Sequence, residues 1–94
     1  MTELQAKGYS ELVANAVTVL EVGLITAEIS DQAAAAVAPH VMAALSTPGA
    51  FEAAKAELTD PEHVDSWRVL SAVAPVHVAP KLRELAARCD NGAG

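Results

Sequence analysis

Ninety-four residues, 52% hydrophobic and carrying a net charge of −6, bound this chain to one small acidic domain. Twenty-one alanines against three aromatics (Tyr9, Phe51, Trp67) exclude a strand-rich fold and favour closely packed helices, because the alanine methyl loses no rotamer freedom in a helix. A lone cysteine, Cys89, excludes an internal disulfide and suits a reducing compartment, so a cytoplasmic protein is expected.

Residues 1–9 are expected to form an N-terminal arm, extended or with a short helical turn before Gly8. Ser10 is an N-cap candidate, with Glu11 favourably placed at the positive helix end. The spacing predicts a helix over about 10–23. Leu12, Ala16, Leu20 and Leu24 recur every four residues with Val13 and Val17 beside them, while Asn15, Thr18 and Glu21 form only a narrow polar stripe. Such a helix is apolar over most of its circumference, which predicts a central or interface helix.

Gly23 is a candidate stop, and Thr26 or Ser30 a candidate cap for the next helix. That helix passes through Ala33–Ala36 with Val37, Val41, Met42 and Leu45 as its heavier side chains. Pro39 removes a backbone donor and crowds the Ala35 carbonyl, predicting a kink or break. Thr47-Pro48 resembles a cap followed by a first helical residue, opening a short helix to about Leu58. Asp60-Pro61-Glu62 is the strongest local start signal. It predicts a helix with Val64, Trp67, Leu70 and Val73 or Ala74 facing inward. Residues 74–80 read as a linker or a helix kinked by Pro80. The last helix is expected from about Pro80 to Cys89 or Asp90, with Leu82, Leu85, Ala86 and Cys89 inward, a stop at Asn91-Gly92 and a tail over 91–94.

The expected architecture is therefore all-α: a compact bundle of four to five short helices in a single domain spanning 1–94. The longest apolar runs fall short of the roughly 20 residues that span a bilayer, and no secretion signal is expected.

Chemistry finds little footing. His40, His63 and His77 lack the i,i+4 spacing of a helical zinc pair, so no metal is expected. Cys89 lies on an apolar stripe, where a thiol acts as a small hydrophobe. The five glycines form no phosphate loop, and no cofactor is expected. These readings predict a non-enzymatic protein.

Charge is uneven: residues 1–65 sum to −8 and residues 66–94 to +2. A basic C-terminal helix (Lys81, Arg83, Arg88) could dock on an acidic surface. A helix-turn-helix DNA-binding regulator is the alternative. However, the alanine-rich second helix offers only Gln32 to read base edges, and nucleic acid is not the expected partner. The high apolar fraction of so small a chain predicts instead a protein–protein interaction module, a small oligomeric assembly, adaptor or regulatory factor, pairing with itself or another protein. Such a chain fits the type of a small accessory protein of a phage or mobile element. The residues expected at the interface are Val13, Val17, Leu20, Leu24, Val37 and Val41, with Lys81, Arg83 and Arg88.

Overall fold

Two serines start the two longest helices. Ser10 and Ser30 are extended, and their Oγ atoms accept the backbone N–H of Val13 at 3.2 Å and of Ala33 at 3.0 Å. Each hydroxyl satisfies a donor that the first turn leaves open. The helices they open are α2 (Glu11–Ala27) and α3 (Asp31–Leu45), preceded by a single turn, α1 (Glu3–Ala6), in a computed structural model that describes residues 3–92.

Gly23 does not end α2. It is buried in the helix interior, where an added Cβ would stand 2.6 Å from Val41 Cγ2 and 3.7 Å from Val37 Cγ2 on α3. The missing side chain lets α2 and α3 approach closely, so this glycine is a packing notch. Nor does Pro39 break α3. Pro39 and Ala35 are both exposed, which leaves the Ala35 carbonyl on the side where water can replace the lost donor.

The segment Thr47-Pro48-Gly49-Ala50 is a turn rather than a capped helix start. Gly49 has φ +86° and ψ −11°, and the Ala50 N–H donates to the Thr47 carbonyl at 3.0 Å. Proline then glycine at the two central positions is the type II pattern, and only glycine adopts that positive φ without strain. The helix behind it is α4 (Ala50–Glu57). Asp60 behaves as its sequence implies: Oδ1 accepts the Glu62 N–H at 2.9 Å, and Pro61 opens a 3₁₀ turn (Pro61–His63) leading into α5 (Val64–Val73). A turn over Pro75–Val78 passes the chain to α6 (Ala79–Gly92), whose Ala79 N–H donates to the Pro75 carbonyl at 3.0 Å. Pro80 falls in the first turn of α6, where its N–H would have no helical acceptor, so it neither kinks nor ends a helix. The helix passes through Asn91 and Gly92. The expected arm and tail extend at Met1, Thr2, Ala93 and Gly94 outside the described residues.

The result is an all-α bundle, 78% helical and without strands among the described residues. Five helices of eight or more residues carry it, with α1 as an added turn. Helix α2 packs against α1, α3, α4 and α5, and α5 pairs with α6. Val17, Leu20 and Leu24 meet Val41 and Leu45 of α3, Trp67 and Leu70 of α5, and Leu82, Leu85 and Cys89 of α6 in one buried cluster. Val73, an inward candidate, stays exposed. The Cα radius of gyration is 12.3 Å, and the accessible surface of 5277 Å² lies close to the ~5,100 Å² typical of a folded chain of this mass. The amount of surface is ordinary. Its distribution is not.

Candidate interaction surface

Helix α2 has two apolar faces. The inner one holds most of the residues expected at an interface. Val17, Leu20 and Leu24, with Val41 of α3, are at most 1% exposed, so they pack inside their own chain. Val13 and Val37 are half-buried against the same cluster. The fourfold spacing of Leu20 and Leu24 marks the face of greatest bulk, and the bundle itself takes that face. Leu12, read as part of the same stripe, lies outside it at 73% exposure.

The outer face carries Leu12, Val19, Val22 and Ile25, with Ile29 in the turn beyond. These are five of the seven large hydrophobic residues exposed among the described residues. Leu12, Asn15, Val19, Val22, Thr26 and Ile29 follow intervals of three and four residues. This heptad spacing aligns one seam along a helix. The signal was present in the sequence, masked by the heavier inner stripe.

Helix α3 flanks this seam and forms a groove with it. One hollow of about 330 Å³ is lined by Leu12, Asn15, Val19, His40, Ala43 and Thr47 among others. A second of about 250 Å³ is lined by Thr18, Val19, Val22, Val37 and His40. Val19 and His40 belong to both, so the hollows adjoin. Residues 12–20 and 32–51 contain no Asp, Glu, Lys or Arg, and Glu11, Glu21, Glu28 and Asp31 border the region.

The basic residues of α6 are elsewhere. Arg88 Nε donates to the Lys55 carbonyl at 3.2 Å, and Lys81 Nζ stands 5.7 Å from the Phe51 ring centroid, so both help hold α6 to α4. Arg83 is exposed. The N-terminal arm is tied down by a small polar cluster. Lys7 Nζ meets Glu57 Oε1 at 2.7 Å, and the Tyr9 hydroxyl donates to Glu57 Oε2 at 3.1 Å. The Lys7 ammonium holds the Glu57 carboxyl below the usual range against the opposing effect of burial, with Tyr9 assisting.

Cys89 is fully buried, and its thiol donates to the Leu58 carbonyl at 3.1 Å. Burial pushes this thiol up, the nearby Trp67 indole N–H works the other way, and Asp60 adds to the rise. Trp67 Nε1 and His63 Nδ1 are buried without a hydrogen-bond partner. His40 lies in the groove and His77 in the turn before α6. No group of three or more His, Cys, Asp or Glu among the described residues is placed to hold a metal. No helix among them is long and apolar enough to cross a membrane.

Compared with known proteins, the chain matches no family model, no curated protein and no solved structure.

Proposed function

We propose that this protein works by binding another polypeptide, as a small assembly, adaptor or regulatory factor without chemistry of its own, and that the outer face of α2 with the flank of α3 is its docking surface. One observation carries the reading: the exposed large hydrophobics concentrate on the outer side of one helix, uncharged from Leu12 to Leu20, beside an apolar groove. Scattered apolar residues are normal on a surface, whereas a contiguous patch rimmed by polar residues is the mark of a contact site. The single buried thiol suits a reducing compartment such as the cytoplasm.

Site-specific photo-crosslinking in living cells tests this. A photoreactive residue at Val22 is expected to give covalent protein adducts that the same residue at exposed Glu62 does not. Equal labelling from both positions, or none from Val22, overturns the reading.

A further inference from the structure

We infer that the occupant of this face is a second copy of the chain, docked about a two-fold axis between Val19 and Val22 so that two α2 helices run antiparallel between two α3 helices. The inference rests on the docking-surface reading above and names its partner.

Three observations converge. The first is the period. Seams of three and four residues stay on a second helix when the two helices wind slightly about each other. The intervals of the seam Leu12, Asn15, Val19, Val22, Thr26, Ile29 read the same in both directions about a point between Val19 and Val22. A two-fold axis there sets Leu12 of one copy opposite Ile29 of the other, Asn15 opposite Thr26 and Val19 opposite Val22. The face is thus self-complementary, as an isologous contact requires.

The second is charge. The chain carries −6, with −8 on residues 1–65, so two copies repel through the acidic part of their surfaces. On the α2–α3 face the seam from Leu12 to Thr26 brings no charge against its counterpart, and the flanking acids Glu11 and Glu28 are exposed at its ends, where water screens them. A basic partner would find its complement on the acidic remainder of the molecule, and an acidic partner would find no cation in the groove. A neutral apolar face selects another neutral apolar face, and this chain supplies one.

The third is area. Seventeen residues of α2 span about 25 Å, and two adjacent helices about 20 Å across, giving roughly 500 Å² per copy. Two copies bury on the order of 1,000 Å², which reaches the lower limit for a specific contact and implies a reversible dimer rather than a permanent one.

Sedimentation equilibrium of the purified 94-residue chain, from low micromolar to millimolar, tests the inference. The mass is expected to rise from 9.7 kDa to twice that. Val22→Glu and, separately, Leu12→Glu place a carboxylate in the seam at side chains 53% and 73% exposed. Each is expected to weaken dimerisation roughly a hundredfold with unchanged circular dichroism. Val76→Glu, at an 89% exposed residue between α5 and α6, is expected to leave it unchanged. A wild-type monomer across the range, or a dimer that both seam variants leave intact, overturns the inference. A monomeric protein that still crosslinks through Val22 in cells overturns the second copy alone and keeps the docking face. A monomer without such adducts removes both.

Discussion

Gly23 of α2 and Val41 of α3 lie so close that a Cβ on the glycine would stand 2.6 Å from the valine Cγ2. Val41 is 1% exposed and branched at Cβ, so it has little freedom to yield. Gly23→Ala gains about 1 kcal/mol of helix propensity but overpacks the contact at a cost of about 1–3 kcal/mol. A net destabilisation of about 1 kcal/mol is expected in urea unfolding. In a Val41→Ala background the obstruction is gone, and the same glycine substitution is expected to change sign and stabilise. The double-mutant cycle reads that reversal directly.

The two faces of α2 separate in a stability series. Leu20→Ala removes a side chain with no exposure and is expected to cost about 2–5 kcal/mol. Ile25→Gln, at 55% exposure, is expected to stay within about 0.5 kcal/mol at concentrations where the chain is monomeric. A large loss for Ile25→Gln under those conditions would mean that the outer face is packed within the chain.

Each serine cap is a local device. Ser10→Ala and Ser30→Ala remove the acceptors for Val13 and Ala33, and each is expected to cost about 1 kcal/mol in denaturant unfolding. Because the two caps share no partner, their effects are expected to add.

The arm contact responds to acid. The Lys7 ammonium lowers the Glu57 pKa in the folded chain, so this contact stabilises fully above the ordinary glutamate range and is lost as pH falls through the lowered folded value. Tyr9 resonances in an NMR titration are expected to report release of the arm in that acid window. Glu57→Gln is expected to abolish the transition.

Cys89 is a reporter of unfolding. With its thiol raised by burial and wholly enclosed, it is expected to resist a thiol reagent at neutral pH and to react only as the chain opens. Labelling in increasing urea is expected to track the loss of helical signal. Rapid labelling of the native protein would contradict the packing of α6 against α5.

The candidate site was partly legible before the fold. The threes and fours from Leu12 to Ile29 are in the sequence, yet the bulkier Leu20–Leu24 stripe overlies them on the same helix. Composition shows that α2 is apolar nearly all round, but not which arc the chain covers by itself. Thus Val17, Leu20, Leu24 and Val41 read as contact residues and proved to be core. Lys81 and Arg88 read as docking charges and are engaged with α4.

Local chemistry in the sequence determined the all-α class and three helix starts, at Ser10, Ser30 and Asp60, because a cap needs only a side-chain oxygen and a backbone N–H two or three residues away. Tertiary structure alone decided that Gly23 is a notch, that Pro39 lies inside a continuous helix, and which side of α2 faces water. Those outcomes depend on how near a second helix comes, a distance set by side chains remote in the chain.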